Sequence, residues 1–206
     1  DLGTATAGTI NINGNNHSID LGSNNGIQLA NQTALNFNNV TVGGNTTLVS
    51  ATTSDATIGL NNVTLNGNIS GAGNNVAISG NTKLNGVFTN TNTTFSNGTL
   101  SFNGNTFADS NNTLNVTGGN INLADGVTTN YVINSLTSSE DASYSLDVIF
   151  SGTTGVADTI LASSNSSGVI TINSIKFNGN LTQDTTITIL DTTSDSISIK
   201  LSDILS

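Results

Sequence analysis

Apolar residues in this chain come in pairs two positions apart, with a small or polar residue between them. Val40/Val42, Ile58/Leu60, Val63/Leu65, Val76/Ile78 and Leu100/Phe102 are examples, as are Ile27/Leu29, Leu35/Phe37 and Ile121/Leu123. A period of two places both members on one face of a strand. No segment sustains the i, i+3, i+4, i+7 spacing of an amphipathic helix. The pairs recur in a wider frame that reads polar, polar, apolar, small, apolar, small, Gly, Asn. It appears as NNVTVGGN at 38–45, NNVTLNGN at 61–68 and NNVAISGN at 74–81, and more loosely as GTLSFNGN at 98–105, TLNVTGGN at 113–120 and NSIKFNGN at 173–180. Val40 to Val63 and Val76 to Leu100 set a repeat of about 20–25 residues.

Strands this short, with no helices to carry crossovers, are joined economically as a solenoid. Each coil holds two or three strands, and successive coils stack about 4.8 Å apart. The sequence therefore predicts an all-β fold, a right-handed parallel β-helix with coils of about 20–25 residues, in one unit over 1–206. A β-sandwich is the alternative, since its turns also recur at short intervals. Inward positions are expected at Val40/Val42, Val63/Leu65, Val76/Ile78 and Leu100/Phe102. Gly44, Gly67, Gly80 and Gly104 are expected at corners that need φ > 0 or leave no room for a Cβ. The rhythm weakens over 127–169, and that segment carries Glu140, Asp141, Tyr144, Asp147 and Asp158. A departure from a stacked repeat is the natural place for a recognition loop. Glu140, Asp141, Tyr144 and Asp147 are thus the candidate partner-binding residues.

Composition sharpens this picture. Asn, Thr, Ser and Gly make up more than half of the chain, Pro and Cys are absent, and charged residues are only 8%. A missing Pro suits strands paired on both edges. Absent Cys removes disulfides and thiolate metal sites. The net charge is −10, with three lysines and no arginine. Neither nucleic acid nor direct insertion into a membrane is expected of such a surface.

Candidate chemistry is sparse. His17 is the sole histidine, beside Asn15 and Asn16, and reads as a turn residue. No G-x-S-x-G elbow is present. Acid clusters occur only at Glu140/Asp141 and Asp191/Asp195, both in polar runs. The chain is therefore expected to be no enzyme and to need no metal or cofactor. A carbohydrate-active β-helix enzyme, a phage-tail or S-layer-like structural solenoid and an ice-binding solenoid are the alternatives. The last would use Thr-x-Thr rows, found here only at 4–6, 89–93 and 186–188.

The Gly-Asn corners, the Asn/Thr/Gly richness and the missing Cys resemble the passenger domains of bacterial autotransporter adhesins. Phe102-Asn-Gly-Asn105 and Phe177-Asn-Gly-Asn180 look like the F-x-x-N element of chlamydial polymorphic outer-membrane proteins and rickettsial surface cell antigens. The partner element G-G-A-(I/L/V) is replaced here by Gly-Gly-Asn at 43–45 and 118–120. The resemblance implies an extracellular segment on a bacterial surface, anchored by an outer-membrane barrel outside this chain. It implies attachment to a host-cell surface protein or glycan, or self-association between cells.

Overall fold

The computed structural model describes residues 8–22, 26–29, 32–44, 47–51, 55–163, 165–193 and 196–202. Among them the protein is all β: 72% strand with no helix. The strands are β1 (Gly8–Asp20), β2 (Ile27–Leu29), β3 (Thr33–Gly43), β4 (Thr47–Ala51), β5 (Thr57–Leu65), β6 (Asn68–Leu84), β7 (Phe88–Phe102), β8 (Thr113–Val116) and β9 (Gly119–Asn122). They continue as β10 (Asn130–Ile133), β11 (Leu136–Ser138), β12 (Ala142–Gly152), β13 (Thr154–Ala157), β14 (Thr159–Ala162), β15 (Ser167–Leu181), β16 (Leu190–Thr192) and β17 (Ile197–Leu201). They form a 14-stranded mixed sheet and a three-stranded sheet of β10, β14 and β16. Every pairing between named strands is parallel except β12 with β13.

The parallel pairings run in three columns. One passes through Ile10, Leu35, Ile58, Val76, Thr93, Leu114 and Leu136. A second passes through Ile19, Val42, Leu65, Leu84 and Phe102, and through Leu100, Ile121, Tyr144, Ile172 and Leu201. The third links Leu29 to Ala51, Ile69 to Phe88, and Phe107 to Ile133 and Ala162. Successive chain passes are therefore hydrogen-bonded neighbours, as the repeat predicts.

All eight expected inward residues are buried, Val40/Val42, Val63/Leu65, Val76/Ile78 and Leu100/Phe102. They join one apolar cluster that also takes in Phe37, Phe88, Phe95 and Phe107. Phe102 meets Phe107 and Tyr131 edge-on, with ring centroids 5.1 and 5.7 Å apart. At about 25 cal/mol per Å² of apolar surface removed from water, burying a side chain of this size contributes about 3 kcal/mol.

The interval between stacked positions is not constant. Asn36 bonds Asn11 across 25 residues and Asn62 bonds Asn39 across 23. Asn85 bonds Asn66 across 19, and Leu136 bonds Ser166 across 30. Motif copies consequently do not all lie on one another. Val40 stacks on Val63, but the third copy stacks on the Ile58/Leu60 pair through Val76 and Ile78. Strand pairing follows apolar alternation, which both segments share, and the intervening turn length decides which pair is reached.

Corners are built differently from the expectation in part. Gly44 and Gly80 have φ of +118° and +64°, while Gly67 and Gly104 are not among the positive-φ residues. At Gly104 the other condition holds, because a Cβ would come within 2.8 Å of the Asn130 carbonyl. Asn39, Asn62 and Asn90 take φ of +51°, +53° and +50°. The left-handed corner thus falls on asparagine, the residue that tolerates it best after glycine. Buried Asn112 serves another corner, where its Oδ1 accepts from the Thr91 N–H at 2.9 Å and the Thr91 hydroxyl at 3.0 Å.

Candidate functional site

The alternation that puts Ala142, Tyr144 and Leu146 of β12 into the core turns Asp147 to the opposite face. Asp147 is nevertheless fully buried, because the 125–129 loop and Asp158 cover it. Its Oδ2 accepts from the Gly126 N–H, and its Oδ1 has no hydrogen-bond partner. Asp158, between β13 and β14, is equally buried. Its Oδ2 accepts from the Asp147 N–H at 2.7 Å and its Oδ1 from the Thr129 N–H at 2.9 Å, while its own N–H donates to the Asp147 carbonyl. Burial is the chief cause that lifts the Asp158 carboxyl from 3.8 to about 6. The two backbone donors oppose it, and the charges of Asp147 and Asp125 add to it. The two acids act as braces: they hold the 125–129 loop and the start of β14 against β12.

The candidate partner-binding residues are spread over this frame rather than gathered on one surface. Glu140 and Asp141 are exposed in the turn between β11 and β12. Tyr144 is a core residue whose hydroxyl donates to Ser138 Oγ at 2.9 Å, and burial raises it to about 12. Asp147 is the brace just described. Much of the segment 127–169 stays within the columns, since Tyr131, Ile133, Leu136, Leu146 and Ile160 all join the core cluster. Two outer positions and two inner ones cannot form one binding face.

The part of 127–169 that departs from the parallel passes is an arm formed by the end of β12 and β13. Beyond Leu146, β12 runs on to Gly152 and folds back as β13, its one antiparallel partner, with Phe150 opposite Gly155 and Ile149 opposite Val156. On the other edge β12 stays paired with β15 as far as Leu181. Phe150 stacks on Phe177 with centroids 5.8 Å apart. The arm is apolar and open: Val156 and Phe177 are each 56% exposed and Leu181 41%. The signal available beforehand was the run DVIF at 147–150, where strict alternation ends and apolar residues become adjacent.

Other singled-out residues fall elsewhere. His17 is exposed in β1 and re-enters register opposite Val40, just after the irregularity at Asn15 and Asn16. Asp191 is exposed in β16, and Asp195 lies outside the described residues, as do Thr4 and Thr6. Of the 89–93 row, Thr91 and Thr93 are buried and hydrogen-bonded to each other at 3.1 Å, while Thr89 is exposed. Thr186 and Thr188 are exposed. Among the described residues no group of three or more His, Cys, Asp or Glu is placed to hold a metal ion. No helix of the described residues is long and apolar enough to cross a membrane.

Clefts flank the arm and the loop. One of about 360 Å³ lies between β13 and Thr128, Thr129 and Thr188. Another, of about 200 Å³, lies between the outer face of β6, β7 and β9 and the loop that Asp147 and Asp158 brace. No family model, curated protein or solved structure matches the chain.

Proposed function

We propose that the three columns are the faces of a right-handed parallel β-helix and that the chain is a non-enzymatic attachment segment displayed on a bacterial surface, of the autotransporter passenger kind. The observation that carries this reading is the arm. A ladder of parallel passes supplies a rigid support, and an apolar, aromatic hairpin departs from it with Val156, Phe177 and Leu181 open to solvent. Exposed aromatic and aliphatic side chains on a rigid frame are the composition of protein-binding surfaces. Asp147 and Asp158 are buried and hold backbone N–H groups of the 125–129 loop and of β12, which supports a structural role for them. Partners of this reading are a host-cell surface protein or another bacterial cell.

The test is attachment by cells displaying the full protein. Replacing Val156 and Phe177 together by Ser is expected to reduce attachment at least about tenfold, the loss of about 1.4 kcal/mol that hot-spot residues readily exceed. Surface expression and protease resistance are expected to stay unchanged. Undiminished attachment by the double variant would sink the arm as the contact surface.

A further inference from the structure

The cleft between the braced loop and the ladder face has chemistry of its own. Lys83 of β6, Ser101 of β7 and Asn122 of β9 line one side, and Asp125 of the loop lines the other. The rings of Phe102 and Tyr131, both nearly buried, also contribute to its lining. The loop is fixed by four backbone bonds: Gly126 N–H to Asp147, Thr129 N–H to Asp158, Val127 N–H to Asp125 Oδ1 and Asp125 N–H to the Leu123 carbonyl. The lining is therefore held in place before any ligand arrives, which lowers the entropy cost of binding.

Several polar groups in this lining are uncommitted. The side chains of Lys83 and Ser101 make no hydrogen bond or ion pair among the described residues, and Asn122 uses its Oδ1, on the Ala124 N–H, leaving its amide N–H groups free. Asp125 uses Oδ1 on Val127, leaving Oδ2. With Asn103 Oδ1, whose amide N–H goes to the Asn85 carbonyl, the set offers two donor groups, two acceptors and one hydroxyl that can be either. An anion would gain from Lys83 but be opposed by Asp125, and a cation the reverse. A neutral polyol meets both, because each hydroxyl donates to one group and accepts from another.

We propose that this cleft is a binding site for a single neutral sugar residue, a hexose or N-acetylhexosamine within a surface glycan. The assignment deepens the attachment reading by naming a ligand class, and only its role in attachment rests on that reading. The site is separate in residues from the arm, so the two are tested independently.

The measurement is saturation-transfer NMR on the full chain with D-glucose, D-galactose, D-mannose and N-acetyl-D-glucosamine, with glycine as the zwitterionic probe and inorganic phosphate, which has no carbon-bound proton, as an anionic competitor of the sugar signal. At least one sugar is expected to bind with a Kd of about 1 mM or tighter. Lys83→Gln and Asp125→Asn are each expected to weaken that sugar about tenfold; the latter retains the Oδ1 that caps Val127. Glu140→Gln, in the exposed turn between β11 and β12, is expected to leave it unchanged. Saturation transfer to no sugar, binding by both cleft variants as tight as by the parent, preferential binding of glycine, or loss of the sugar signal to an equal concentration of phosphate would each overturn the proposal. Attachment by cells that persists while sugar binding is absent would overturn the sugar site alone, and attachment lost with the arm variant while sugar still binds would leave it standing.

Discussion

The stretch from Thr57 to Phe102 and the stretch from Leu123 to Ala162 solve the same problem with different means. In the first, neighbouring passes are nearly equal in length, and each buried residue has a stacked counterpart: Ile58, Val76 and Thr93 in one column, Leu65, Leu84 and Phe102 in the next. Polar groups are satisfied along the stack, as where Asn85 donates to Asn66 at 2.6 Å and Asn103 to the Asn85 carbonyl at 2.8 Å. The second stretch spans longer passes, with Leu136 and Ser166 bonded across 30 residues. Its extra length cannot stack, so it is folded into the braced loop and the arm. Two buried carboxylates replace the asparagine ladder there. Regular repeats satisfy their backbone by copying the neighbour, whereas irregular length needs dedicated acceptors brought in from elsewhere in the chain.

This contrast can be broken most forcefully in the regular stretch. Phe95 is fully buried in the core cluster. Phe95→Ala is expected to cost about 3–5 kcal/mol, while Val156→Ala on the arm stays within about 0.5 kcal/mol. Urea unfolding of both variants with unchanged m-value checks the pair. Comparable costs at the two positions would mean that the arm is packed rather than open.

A smaller effect is expected at the corner glycines. Gly80 stacks on Gly98, and Gly98 and Gly119 have φ of +87° and +81°. A Cβ on Gly98 would run into the Gly80 backbone, so both strain and overlap oppose a side chain. Gly98→Ala is expected to lower stability by about 1–3 kcal/mol. Gly152→Ala in the arm has a φ of +64° but open space around it, and is expected to cost less. A Gly98→Ala protein that melts with the parent would contradict the stacked corner.

The braces give the most selective signal. Because the folded Asp158 carboxyl titrates near 6 and its ordinary value is 3.8, the folded state holds the extra proton between those pH values. Its contribution to stability is therefore largest at acid pH, falls as pH rises through that window, and is flat above it. The slope is at most about 1.4 kcal/mol per pH unit. The difference in unfolding free energy between the parent and Asp158→Asn, followed from pH 4 to pH 7, isolates this group from the other carboxylates. A difference independent of pH would show that Asp158 titrates at its ordinary value.

Much of the strand content was legible in the chain because period-two alternation is a local property. Val40/Val42 or Leu100/Phe102 need no partner to declare which face they share. The same locality explains what stayed hidden. Asn74 and Asn112 look like exposed turn residues, yet both are buried and act as acceptors for the Ala56 and Thr91 N–H groups. Asp147 and Tyr144 look like loop residues in a polar segment, yet one is a brace and the other core.

By itself, then, the sequence determined that the chain is all β and which apolar residues of the repeated pairs face inward. It did so through short-range patterning, in which each residue is judged against neighbours two positions away. Only the tertiary structure decided which pass lies on which, because that depends on the length of every turn. It also decided that Asp125 faces Lys83, Ser101 and Asn122 across a cleft and that Phe150 meets Phe177 on an arm. Those encounters join residues tens of positions apart, and no local pattern encodes the geometry of turns that brings them together.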